Sequence, residues 1–420
     1  MSAPAITALQ DARSRAPSPR PITIALLGLG QIGSAVARCA SLSAGSAQPV
    51  RVACALVRDP SRDRADVPAI PLISDPRAIF ALRPDAIVEA LGGLEPARAL
   101  VTDALGRGVP VVTANKALLA RHGEALLAIA ARTGTPLRYE ASVLSGVPFL
   151  GAFAARPFVS ITAITGIVNG TSNFILGRMG DGESLADAIA EAQRLGIAEP
   201  DPADDVSGRD AAHKLAVLAW HFGLGAFSPD AIETTGIASL EAGDLGCAGR
   251  LGGLIKPIAA VQRAADCTTA FVGPAFVPLT HKLAPLGGVD NGVLLDTPGG
   301  RLSFTGPGAG PFATATTMLD DVVEAVRGGQ PPPRHAPPPA GVAPPSTAWF
   351  VRLRGSELPR GDEVAEFLGS HGVWIRHAAS CGQRRCLLTY AASRGRVEAA
   401  LGALALATGV EWLALRTLED

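Results

Sequence analysis

The segment "EPDPADDVSGRDAAHKLAVLAW", residues 199–220, sets Asp201, Asp204, Asp205, Asp210 and Lys214 at the mouth of a helix that then turns almost wholly apolar. At about 100° per residue, Asp210 and Lys214 fall about 40° apart on one face with His221, while Ala212, Leu215, Ala216 and Ala219 take the opposite face. A lysine so placed can protonate the alkoxide left when hydride reaches a carbonyl, because its ordinary pKa of about 10.4 keeps it charged near neutrality. Asp210 would hold the ammonium charged and aimed, and the acids before it suit a substrate that carries an ammonium group. A plain i,i+4 ion pair, worth roughly a few tenths of a kcal/mol, behind an acid-rich helix start gives the same spacing. The two readings part on whether the chain also carries a site for a hydride donor.

Such a site is written near the start. From Ile22, "ITIALLGLGQIGSAVARCA" runs from continuous apolar residues into Gly28, Gly30 and Gly33, with Gln31 and Ile32 between the last two. That reads strand, tight turn, helix, the context in which G-x-G-x-x-G brings helix amides against a pyrophosphate. An ordinary glycine turn is the competing account. The next apolar run, residues 50–57, leads to Arg58, Asp59, Arg62 and Arg64. Arginine at that strand tip suits a 2′-phosphate and favours NADP; Asp59 is the signal for NAD, and a solvated loop explains both. "TANKALLA" puts Asn115 and Lys116 at the carboxyl end of a strand, where a cation in the first helical turn is unfavourable unless a ligand needs it. "YEASVLSGVP" and "GIVNGTSNFIL" offer backbone and hydroxyl groups for a polar pocket, or are tight loops.

Together "GLGQIG", "TANKALLA", "YEASVLSGVP", "GIVNGTSNFIL", "LGIAEPDPADDVSGRDAAHK" and "GPGAG", in that order over residues 22–325, make the chain resemble the homoserine dehydrogenases. The resemblance implies reversible NAD(P)-dependent reduction of L-aspartate 4-semialdehyde to L-homoserine, on the path to threonine and methionine. It implies Lys214 as proton donor, Asp210 as its orienting partner, and Glu199, Asp205, Asn173 and Lys116 at the substrate. Thr113 and Lys116 would lie beside the nicotinamide, and Gly92, Gly308 and Gly310 would join Arg58 and the first glycine turn in holding the cofactor. A monovalent cation, Na+ or K+, would fall on Glu140 and the backbone of Val143, Ser145 and Val147. An aspartate dehydrogenase-like enzyme and a non-catalytic nucleotide sensor are the alternatives; neither needs the Lys214 face.

Elements must position these residues. The apolar runs at 50–57, 85–91 and 109–114, alternating with helical stretches such as 117–132, predict buried parallel strands with crossover helices. The expected fold is α/β: a Rossmann-type parallel sheet over 21–140 completed by about 306–328, then an α+β substrate and dimerisation domain over 141–305 with helices near 183–195 and 210–222. Residues 1–20 read as a mobile arm and 329–346, rich in proline, as a tether. Residues 347–420 read βαββαβ, similar to an ACT regulatory domain, which in the family often senses threonine, with constitutive dimer support as the rival role; the tether predicts that this tail folds independently.

Composition narrows the rest. With 37 basic and 38 acidic residues among 420, the surface has no broad field for nucleic acid or anionic lipid. No apolar run is long enough for a membrane span. Six cysteines without a CxxC pair suit a reduced, cytoplasmic setting. A homodimer or homotetramer is expected.

Overall fold

The computed structural model describes residues 20–64, 67–153, 156, 158–264, 267–328 and 347–418. The expected arm, but for Arg20, and the tether lie outside the described residues. The chain forms two compact units.

The first unit takes the described residues up to Leu118, then Glu124–Ala141 and the helix Pro311–Arg327. Its strands are β1 (Ile22–Leu27), β2 (Val50–Leu56), β3 (Leu72–Ile73), β4 (Ala86–Glu89), β5 (Val111–Thr113) and β6 (Leu137–Arg138). All pair in parallel in the order β3-β2-β1-β4-β5-β6, which is the doubly wound order with its switch point between β1 and β4. Such strands need cover on both faces, so their sequences are apolar runs rather than alternations. The helix Gln31–Leu42 covers β1 with Ala35, Val36, Ala37 and Ala40, small enough to bring it close. Beside it packs the helix Pro311–Arg327, through Ala315, Met318, Val322 and Ala325 in the same core. The chain thus returns to its first unit before the tail completes the second.

The second unit holds one mixed sheet. Its strands are β7 (Ala163–Ile167), β8 (Glu233–Thr234), β9 (Gly253–Arg263), β10 (Thr268–Pro278), β11 (Asp290–Thr297), β12 (Gly300–Pro307), β13 (Trp349–Arg354), β14 (Ile375–Cys381), β15 (Arg384–Thr389) and β16 (Glu411–Thr417). Their order is β12-β11-β7-β9-β10-β16-β13-β15-β14, with β8 beside β10. The long β9–β10 ribbon was not foreseen, because Pro257, Gly273 and Pro274 argue against central strands. The register explains the exception: Pro257 lies opposite Pro274, so neither needs an N–H toward the other. On the outer sides, β7 pairs with β9 only from Ala259 onward, and Pro274 falls between the stretches of β10 taken by β8 and β16.

The tail has the expected βαββαβ order, with helices at Gly361–Ser370 and Arg394–Thr408, but it does not stand apart. β16 runs parallel to β10, aligning Ala275 with Arg416 and Phe276 with Thr417. Phe350 stacks on Phe276 with ring centroids 5.8 Å apart, and Cys386, Leu388 and Leu415 join Ile175, Leu240 and Ile255 in one core. Arginines fasten the seam: Arg394 and Arg416 meet Glu233, Arg354 and Arg384 meet Glu241, and Arg352 lies 3.3 Å from the buried Asp244. A proline-rich stretch predicts a tether, yet says nothing about the faces of the segments that it joins. The expectation of an independent tail is corrected accordingly.

Phe350→Ala should cost about 3–5 kcal/mol, as for other buried Phe truncations. Circular dichroism and calorimetry should show the tail and the rest of the second unit melting in one transition. Two separated transitions would restore the independent tail.

Candidate active site

At the carboxyl edge of the first unit's sheet, three glycines divide their work. Gly28 has φ +93°, and a Cβ there would lie 2.8 Å from the carbonyl of Ala90. A Cβ on Gly33 would lie 2.2 Å from the carbonyl of Gly28, so only glycine lets the helix start so close to the strand. Gly30 instead faces open space, and no side chain caps the helix that begins at Gln31. Uncapped amides beside open space are what a pyrophosphate requires, so the turn fits a dinucleotide. Ile32 packs into the core beneath the turn.

Across the switch point the order comes from a residue that the sequence did not flag. Glu89, fully buried at the end of β4, accepts from the Thr113 hydroxyl at 2.5 Å and the Leu91 amide at 2.8 Å. Burial pushes its carboxyl above the usual carboxylate range, against the pull of those hydrogen bonds. Thr113 in turn accepts from the Asn115 amide, while the Asn115 side chain caps the helix Lys116–Thr133 and donates to Gly93 at 2.7 Å. Gly92 and Gly93, both at positive φ, close that loop. Thr113 is therefore tied to Glu89, and Lys116 opens the helix that Asn115 caps.

Beyond β2, Asp59 is occupied locally. Its carboxylate accepts from the amide and hydroxyl of Ser61, which hold it below its ordinary range. Arg58 is exposed and makes no hydrogen bond or ion pair among the described residues.

In the second unit the acidic segment sorts itself by partner. Asp201 accepts from the Ala203 amide and Asp204 pairs with Arg209 at the surface, both serving local structure. Asp205 and Asp210 converge on Asn169, whose side-chain nitrogen donates to them at 2.6 and 2.8 Å. The Asn169 oxygen is used as well, capping the helix Gly170–Gly180 through the Ser172 amide at 2.7 Å. Lys214 lies on the helix Arg209–His221, which is buried continuously from Asp210 to Trp220. Its ammonium sits 3.0 Å from Asp210 and donates to the Val168 carbonyl at 2.7 Å. Asn169 and Val168 thus complete the cluster, and "NGTSN" carried the signal as a helix N-cap rather than as a site. The His221 ring packs on Trp220 and Phe222.

A family model described as homoserine dehydrogenase matches residues 155–323, and one described as homoserine dehydrogenase, NAD binding domain, matches residues 28–140. The chain belongs to the homoserine dehydrogenase family. It is an NAD(P)-dependent oxidoreductase of that family. A homoserine dehydrogenase of Lactococcus lactis is 41% identical over 246 residues, 57% of each chain. One of Pseudomonas aeruginosa is 33% identical over 384 residues, covering 85% of this chain and 87% of its own. Among solved structures, a homoserine dehydrogenase from Thiobacillus denitrificans superposes with TM-score 0.88 at 31% identity, covering 95% of this chain and 99% of that one.

Two of the residues expected at the substrate, Asn173 and Glu199, have unlike surroundings. The Asn173 carboxamide is consumed by the loop before β11, donating to the carbonyls of Leu286, Gly288 and Asp290 and accepting from Lys256. Glu199 is exposed, and its carboxylate has no partner among the described residues. The residues expected to hold a cation divide between the units. Glu140 is in the first, where its amide donates to the buried Asp321, a carboxyl that burial pushes well up. Val143, Ser145 and Val147 are buried in the second, where the Ser145 amide donates to Gly308 of the "GPGAG" turn that ends at Gly310. No helix among the described residues is long and apolar enough to cross a membrane.

Gly33→Ala should abolish nucleotide binding, since its methyl would meet the Gly28 carbonyl and force the turn open. Titration of NADP against the variant's intrinsic fluorescence checks this. Unchanged affinity would mean that the turn relaxes without consequence.

Proposed function

We propose that Lys214 is the general acid and base of a homoserine dehydrogenase that interconverts L-aspartate 4-semialdehyde and L-homoserine, with Asp210 and Asn169 as its positioning residues. One observation carries this reading: a buried ammonium meets the Asp210 carboxylate and the Val168 carbonyl, and the carboxylate is itself fixed by Asn169. A lysine kept there for stability alone would be a poor choice, because its desolvation can outweigh the attraction of its partner.

In the reducing direction, the dihydronicotinamide supplies hydride to the aldehyde carbon when bound. Lys214 then gives a proton to the carbonyl oxygen as negative charge builds on it. In the oxidising direction the same nitrogen accepts the hydroxyl proton. Asp205, which shares the Asn169 side-chain nitrogen with Asp210, offers a carboxylate for the substrate's ammonium group. The Rossmann turn at Gly28–Gly33 and the loop at Gly92 hold the cofactor; Arg58 receives the 2′-phosphate of NADP. The local use of Asp59 by Ser61 supports NADP, since an NAD site would turn that carboxylate to the ribose.

Lys214→Ala should lower kcat for homoserine oxidation by about 10² to 10⁴ while leaving NADP binding near normal. Losing one partner of a buried ion pair also costs stability, about 3–5 kcal/mol, so a thermal melt of the same variant separates lost chemistry from lost fold. A folded variant with near-normal turnover would return the pair to a structural role.

Arg58→Ala should raise the KM for NADP far more than that for NAD, because a charge-assisted hydrogen bond to the phosphate is lost. Equal changes for both cofactors would remove Arg58 from cofactor selection.

A further inference from the structure

Three thiols meet in one core of the second unit. Cys247 lies on the helix Ala242–Arg250, Cys381 ends β14, and Cys386 sits in β15. In the β14–β15 register Ala379 is opposite Cys386, and Cys381 follows two residues on. Side chains two apart leave a strand on the same face, so Cys381 is one diagonal step from Cys386. The helix Ala242–Arg250 packs on that face, and Cys247 shares its apolar cluster with both. Cys247 and Cys386 are members of that cluster, and Cys381 packs against it. Cys247 and Cys386 are wholly buried, whereas Cys381 is partly exposed on the edge strand of the sheet.

The three are chemically unequal. A hydrogen bond from Cys386 draws the Cys247 thiol below its ordinary range, while that same bond, with burial, pushes Cys386 up. The thiolate is the nucleophile in disulfide chemistry, so Cys247 is the reactive member of the inner pair.

We propose that Cys381 and Cys247 form an oxidisable pair, which hydrogen peroxide closes into a disulfide linking the edge strand β14 to the helix Ala242–Arg250. First the Cys381 sulfur takes one oxygen from the peroxide to become a sulfenic acid, and the other oxygen leaves as water. The Cys247 sulfur then attacks the sulfenic sulfur: the S–S bond forms as the S–O bond breaks, and the hydroxyl leaves as water with the Cys247 proton. Two electrons pass from the two sulfurs to the peroxide. The bond adds a covalent tie to a seam otherwise held by β16, the stacked phenylalanines and the arginine pairs.

The test treats the full-length reduced protein with hydrogen peroxide and maps its thiols by differential alkylation and peptide mass spectrometry. A Cys247–Cys381 linked peptide should appear, two thiols per chain should be lost and then regained with dithiothreitol, and the thermal midpoint should rise in the linked form. Cys381→Ser, with a reduced-state melt like that of the parent, should form no link and show no rise. A Cys247–Cys386 or Cys381–Cys386 link in its place, over-oxidised Cys381 beside free Cys247, or a linked form with an unchanged midpoint would overturn the proposal. The wild-type map alone decides if the variant does not fold.

Discussion

An ammonium group buried beside a carboxylate is the constraint on which the second unit depends. Lys214 and Asp210 are each about nine-tenths covered, so neither can rely on water for its charge. The structure meets that demand with neighbours that are themselves fixed. Val168 is the residue just past β7, so its carbonyl is held by the sheet, and Asn169 is held as the cap of the next helix. One asparagine therefore starts a helix, joins two aspartates and, through Asp210, sets where the lysine can lie. The apolar residues on the rest of the helix Arg209–His221 exclude the water that would otherwise screen the pair.

The first unit meets a similar demand with different parts. A dinucleotide needs backbone amides at close range, which the glycine turn gives by removing side chains at two positions and leaving space at a third. The neighbouring loop is shaped by a buried carboxyl, Glu89, whose partners at Leu91 and Thr113 span two strand ends. In both units a buried carboxyl group organises backbone near the proposed chemistry. Each is tolerable because its hydrogen bonds are met by groups already anchored in regular structure.

Much of this was legible because it is local. The parallel strands are apolar runs, the glycine spacing fixes a turn, and Gly134 ends its helix in the left-handed conformation that glycine tolerates. Asp210 and Lys214 are one helical turn apart, so their meeting needs no tertiary knowledge. Partners distant in sequence were not legible. Nothing in "GIVNGTSN" says that its first asparagine will reach residues about forty positions onward, or that its second will be spent on the loop before β11. Glu89 was hidden inside an apolar run, and β9 and β10 were hidden by prolines that only their register excuses. The tail's elements were written plainly, but the parallel pairing of β16 with β10 is a contact between distant segments, and no periodicity encodes it.

The central claim is that Asp210 acts on the reaction only through Lys214, and a double-mutant cycle measures this directly. Values of kcat for L-homoserine oxidation would be compared in the parent, Asp210→Asn, Lys214→Ala and the double variant, with each confirmed as folded. The account predicts that the double variant is no slower than Lys214→Ala alone, because residues acting as a unit are lost together. Losses that multiply across the two sites would show that Asp210 contributes independently of the lysine, and would contradict the account.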